Sequence, residues 1–312
     1  MKKLGTKTAI IALITLYSGS LFAQDAETIH IKGDHFVQPI VEKWITEYKK
    51  ENAASSVNIK VNQEAENVQL SIVASQPSEE NSQAIGERII YVGKYALIPI
   101  SNTDNPLLEK ASKGLKKKEL ANLIFEKDIL DDEYDADKKE KYTATFYSRG
   151  GQASTTLTLA DYFDQSPERI KGKKIIGDEI YLLNAIKKDV SGITFNTLNY
   201  VYDLKSRQLK ADITILPLNI KDKHKEVLGA NDIDKTIALL EESKIETIPV
   251  GNFGIRIPAE YVGNENVLSF VNWILAQGQK FNHEYGFLNL DNNSLADQKE
   301  QLNSKEVFYS KK

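Results

Sequence analysis

Apolar residues along this chain switch repeatedly between a period of two and a period near 3.6, and the switches mark its elements. Residues 28–32 are β-prone, and Gly33-Asp34 turns them into a helix whose apolar positions Phe36, Val37, Ile40, Val41, Trp44, Ile45 and Tyr48 keep helical spacing. Strands follow at 57–61 and 68–74. The long β-branched segment 89–100, broken by Gly93, has the length to cross between two lobes. A helix over 116–125, a strand over 142–147 and a helix over 155–163 come next. Beyond a turn near Ile175 and Ile176 the pattern predicts a helix over 179–187, strands over 193–202 and 213–216, and a helix over 233–243. The strand 247–258 contains Gly251 and Gly254, and an amphipathic helix over 267–285 ends at Gly286, the expected residue after a helix C-cap. Strands alternating with helices in this way predict an α/β fold with largely parallel sheets.

The first residues follow a different rule. Lys2, Lys3 and Lys7 precede a short apolar stretch, 9–16, and Leu21-Phe22-Ala23 offers a cleavage site, so residues 1–23 read as a secretory signal peptide. That stretch is too short for a comfortable membrane span. No cysteine occurs in the 312 residues, which excludes disulfides, thiolate metal sites, a cysteine nucleophile and a lipid-anchoring cysteine. An unlipidated periplasmic protein with no membrane insertion after cleavage is the expected form. Losing the three lysines takes the formal net charge from −4 to −7, which disfavours nucleic acid and anionic membrane surfaces as partners. The remaining 289 residues suffice for two lobes with a core each.

Candidate chemistry concentrates in 144–156, a short strand, a small-residue turn carrying Arg149, and a helix starting near Ser154. Free N–H groups at a helix start, with the hydroxyls of Ser154 and Thr155 and the Arg149 guanidinium beside them, form an anion pocket. Taken alone, the same stretch also describes a capped helix behind a surface turn. Asp34 has two readings as well: an N-cap for the helix starting near His35 or Phe36, or a ligand contact favouring a cationic or hydrogen-bond-donating solute or a protonated oxyanion. His35 is either helix-start decoration or a pH-dependent anion contact. The four histidines show no metal spacing, and no nucleophile–base order, paired-carboxylate signature or nucleotide loop is present. No cofactor, metal or enzymatic activity is expected. The charged run 131–141 reads as a solvated excursion.

Four blocks in order carry a resemblance. They are Ile-Lys-Gly-Asp-His-Phe-Val-Gln-Pro-Ile at 31–40 leading to Trp44 and Tyr48; 91–106 with Ser101-Asn102-Thr103-Asp104-Asn105-Pro106, followed by 120–125; 147–155; and 268–290 with Gly278-Gln279-Lys280 and Tyr285-Gly286-Phe287. This order resembles the phosphate-binding proteins of ABC importers, a branch of the type II periplasmic binding proteins. The resemblance implies two lobes, each a mostly parallel sheet flanked by helices, joined by two crossing strands. It implies ligand contacts at Gly33, Asp34, His35, Ser75, Arg149, Ser154 and Thr155. Within it Asp34 stands at the family's serine position, His35 at the following threonine, Ala153 at a second serine and Ser154 at a glycine, while Arg149 and Thr155 match. The family's second ligand loop has no counterpart in the short polar link between 57–61 and 68–74.

The expected layout is a signal peptide at 1–23, lobe 1 at 24–95 and 247–290, lobe 2 at 96–246 and a polar tail at 291–312. The implied function is a periplasmic solute-binding protein for phosphate or a related small oxyanion, a monomer delivering it to an ABC permease. The competing expectation is a repurposed relative that has lost the anion pocket and binds another envelope protein.

Overall fold

In the computed structural model, residues 27–53, 57–74, 86–126, 141–150 and 152–304 are described. The proposed signal peptide, Ser75, most of the charged run and the last eight residues lie outside them. The first elements are β1 (Thr28–Gly33), α1 (Gln38–Glu51), β2 (Asn58–Val61), β3 (Leu70–Val73) and β4 (Arg88–Asn102). Then come α2 (Leu107–Lys110), α3 (Lys117–Ile124), β5 (Thr145–Arg149), α4 (Ser154–Tyr162), β6 (Lys173–Ile175), α5 (Ile180–Lys188), β7 (Gly192–Thr197) and α6 (Leu198–Val201). The chain closes with β8 (Ile213–Ile215), α7 (Asp222–Gly229), α8 (Ile233–Glu242), β9 (Val250–Ile257), α9 (Glu265–Gln277) and α10 (Asn292–Asn303). No described helix is long and apolar enough to cross a membrane.

Two lobes follow from how β4 is used. Its first part, from Arg88 to Ala96, pairs with β9 in the order β2-β1-β3-β9-β4, and its second part, from Leu97, pairs with β7 and β8 in a sheet that continues to β5 and β6. Parallel pairs join β1 to β2 and β3, and β5 to β6 and β7; the crossing strands β4 and β9 pair antiparallel. A strand that changes sheets is buried on both faces along its second part, which explains its near-continuous apolar run. At Gly93, where the β4–β9 register shifts, a Cβ would lie 2.5 Å from the Phe253 ring, so the close approach requires glycine.

β2 and β3 both run parallel to β1 with only a short link between them. The registers explain why no crossover helix is needed. β2 pairs with Thr28 to Ile31 and β3 with Ile31 to Gly33, so the chain crosses β1 once while still moving forward along it.

Two sequence expectations change in detail, and two short elements had not been expected. The segment 193–202 is not one strand: β7 stops at Thr197, where the Asn196 side chain accepts from the Thr197 N–H and a short helix begins. α9 ends at Gln277, because Gly278 passes close to the indole of Trp44, whose Nε1 donates to its carbonyl at 3.0 Å; short 3₁₀ turns carry the chain on to Gly286, which takes φ 77°. β6 has only three residues, two of them exposed lysines, and gave no apolar signal. α7 buries only His224 and Leu228, too few positions for a period to show. The polar tail forms α10, docked on β4: Gln298 accepts from the Tyr91 N–H at 2.7 Å, and the Arg88 guanidinium donates to the carbonyls of Leu302 and Ser304 at 2.6 Å each.

Candidate functional site

Gly33 ends β1 at φ 145°, where its missing Cβ would stand 2.4 Å from the Ile72 carbonyl oxygen. The Gln63 side chain clamps this residue from both sides, accepting from its N–H at 3.2 Å and donating to its carbonyl at 2.9 Å. The chain then turns through Asp34 to Val37 into α1. Asp34 does not cap that helix: the N-cap is Val37, with no side-chain cap, and only the Asp34 carbonyl takes part by accepting from the Val37 N–H. Its carboxylate instead accepts from the Ser154 hydroxyl at 2.6 Å, at the start of α4. That contact joins the two lobes. Burial pushes the Asp34 carboxyl above its usual range, opposed by the Ser154 hydrogen bond and by the nearby charge of Arg149.

Arg149 closes β5. Its Nη1 donates to Glu179 Oε1 at 2.9 Å, and the Thr155 hydroxyl donates to the same oxygen at 3.0 Å. Glu179, 3% exposed, sits just before α5 and is anchored through its carbonyl by the Asn196 amide at 3.0 Å. Burial pushes its carboxyl up to about 7, against the pull of Arg149 and Thr155. Glu179 Oε2 and Arg149 Nε are buried with no hydrogen-bond partner among the described residues.

These groups line a cavity of about 240 Å³, with residues 33–36 and Ile72 on one side and Arg149, Ala153, Asp178 and Glu179 on the other. Gly33, Asp34, His35 and Arg149 thus line the same cavity. Ser154 and Thr155 approach the same place through Asp34 and Glu179, and Ser75 lies outside the described residues. Glu179 and Asp178 were missed in the sequence, because an acidic residue at a helix start is the ordinary choice for the helix dipole and signals nothing further. Tyr95 was missed too. Fully buried on β4, its hydroxyl donates to the Ala74 carbonyl at the end of β3 and lies 2.6 Å from the Thr158 hydroxyl on α4. Among the described residues no three His, Asp or Glu side chains converge as metal ligands do.

The arrangement holds donors and acceptors in one cleft, with one guanidinium facing three carboxylates. It offers binding by hydrogen bonds and charge.

No protein-family model matches the sequence, and a search of curated proteins finds no match. Solved structures do match. One, from Clostridium perfringens, is assigned to a phosphate ABC transporter substrate-binding protein and holds phosphate; it is 14% identical, with a TM-score of 0.56, over 85% of this chain and 100% of that one. An ABC-type phosphate transport receptor from Vibrio cholerae is 10% identical, with a TM-score of 0.55, over 84% of this chain and 100% of that one. The chain therefore has the two-lobed α/β fold of the ABC-importer substrate-binding proteins, far diverged in sequence from the phosphate-type members it resembles.

Proposed function

We propose that this chain is a periplasmic solute-binding protein that holds a small oxyanion-bearing solute between its lobes and presents it to an ABC importer. The observation that carries the reading is the cavity itself. Arg149 and the first turn of α4 face Gly33, Asp34 and His35 across about 240 Å³, at the junction where lobes of this fold close. The N–H groups opening a nine-residue helix such as α4 have no partner within it and favour an anion there.

A second reading has its own observation in support. Asp34 already satisfies Ser154, and Glu179 already satisfies one arm of Arg149, so the protein's own carboxylates engage the groups an anion needs. A relative that abandoned solute transport for a protein partner in the envelope would keep such contacts.

Thermal unfolding with an oxyanion panel separates the two. Inorganic phosphate and sulfate, with carboxylates, sulfonates and phosphonates both with and without an amine, are added at millimolar concentration. A solute at a hundred times its dissociation constant stabilises by about 2.7 kcal/mol, a readily visible shift in Tm. A shift with at least one of them is the expected outcome. A flat response across the panel overturns the solute-binding reading in favour of the second.

A further inference from the structure

The charge balance of the cleft is wrong for a bare inorganic oxyanion. One guanidinium, Arg149, and the His35 imidazole share the cavity wall with three carboxylates, Asp34, Asp178 and Glu179. Asp178 is spoken for as a helix-start acceptor, taking the Ile180 N–H at 3.2 Å. Asp34 and Glu179 are different: each spends one oxygen on a neighbour and sits in a buried setting that disfavours its charge. At a few ångströms and low effective dielectric, a phosphate or sulfate dianion is repelled by each of them whenever it is ionised.

The unpaired atoms point to what the cleft is shaped for. Glu179 is almost completely buried, and its Oε2 has no hydrogen-bond partner among the described residues. A buried carboxylate oxygen with an open lone pair asks for a hydrogen-bond donor, best a charged one. Nε of Arg149 is the complementary orphan, a buried donor in want of an acceptor. The side chains lining a single cavity thus include one unpartnered buried acceptor and one unpartnered buried donor. Phe36 and Ile72 supply apolar wall between the polar groups, which an inorganic ion cannot use, and the volume of roughly eight water-sized groups exceeds what such an ion fills.

We propose that the solute of this cleft is a small zwitterion, an oxyanion and a protonated amine joined by a short carbon spacer. The ammonium sits on Glu179 Oε2 and the Asp34 carboxylate. The oxyanion sits on Arg149 Nε and the first turn of α4, and the spacer lies against Phe36 and Ile72. This rests on the reading of the cleft as a solute site and narrows the class of solute within it. Each end of such a molecule neutralises a charge that the other end leaves exposed, which a simple anion or a simple amine does not do.

Matched pairs test it by calorimetric titration of the purified protein at pH 8, where Glu179 is ionised: aminoethylphosphonate against ethylphosphonate, taurine against ethanesulfonate, β-alanine against propionate, with inorganic phosphate and sulfate alongside. A charged hydrogen bond predicts that the amine-bearing member of at least one pair binds at least about tenfold more tightly. Glu179→Gln, of equal size, then reduces that preference to about threefold or less, and Asp34→Asn reduces it in the same direction. If amine-free or inorganic oxyanions bind as well as their amine-bearing partners, the zwitterion assignment is overturned while solute binding stands. Binding by no compound of either kind overturns both. The wild-type comparison decides even if a variant fails to fold.

Discussion

Glu179 shows how one side chain ties the site to the stability of the whole protein. Its carboxyl is held at about 7 against an ordinary value of 4.5, and burial is the largest cause. Between those values the folded chain binds more protons than the unfolded chain, so stability falls as pH rises through the window and levels off above it. The difference corresponds to about 3 kcal/mol. Asp34, also raised by burial, acts with the same sign. Denaturation followed from pH 4.5 to 8 should therefore show a decline that Glu179→Gln largely flattens; an equally steep decline in the variant would mean that Glu179 is not its source. A bound ammonium would draw the Glu179 carboxyl back down, so an amine-bearing solute and this pH dependence are two readouts of one buried charge.

At the scale of elements, Gly33 decides how β1 delivers its end to the cleft. Its positive φ, and the Ile72 carbonyl oxygen 2.4 Å from where a Cβ would stand, leave no room for a side chain. Gly33→Ala should lower stability by roughly 2–4 kcal/mol and displace Asp34 from Ser154, read by denaturant titration and by loss of binding. A variant as stable as the wild type would show that this turn tolerates a side chain. The tail helix offers a second test. Arg88 holds the last carbonyls of α10, and charge-assisted hydrogen bonds of this kind contribute about 1.5–3 kcal/mol. In Arg88→Ala the tail should become the first site of limited proteolysis; unchanged cleavage would show that buried Leu302 and Gln298 suffice to hold it. Elements with a strong apolar period, such as α1, β4 and α8, were legible in the sequence. β6 and α7 were not, because each presents too little buried surface to impose a pattern.

At the scale of the molecule, the two lobes meet through polar contacts at several heights of the junction. Asp34 reaches Ser154 at the cleft, and Tyr95 links Ala74 to Thr158 beneath it. On another side, Glu241 of α8 accepts from the Asn289 N–H and pairs with His283 at 2.8 Å, while the Arg207 guanidinium donates to the His283 and Glu284 carbonyls. Tyr95→Phe removes a donor from a fully buried carbonyl and should reduce stability by about 1–2 kcal/mol. Faster amide exchange in β3 and the start of α4 should accompany the loss. Wild-type exchange in both places would mean that Tyr95 does not couple them.

The two lobes and the ligand contacts at Gly33, Asp34, His35 and Arg149 were implied by the resemblance of four ordered blocks; the residues alone gave the alternation of strands and helices and the length of the crossing strand. Local periodicity and turn chemistry suffice for the last two, because they depend on neighbours a few residues away. What the charged groups do depends on how distant elements pack. That Asp34 meets Ser154 across 120 positions, and that Glu179 rather than a solute takes one arm of Arg149, depends on where β5, α4 and α5 converge. Burial there turned an ordinary helix-start glutamate into an unpartnered acceptor, and the burial of a polar residue by distant elements is not written in the residues around it.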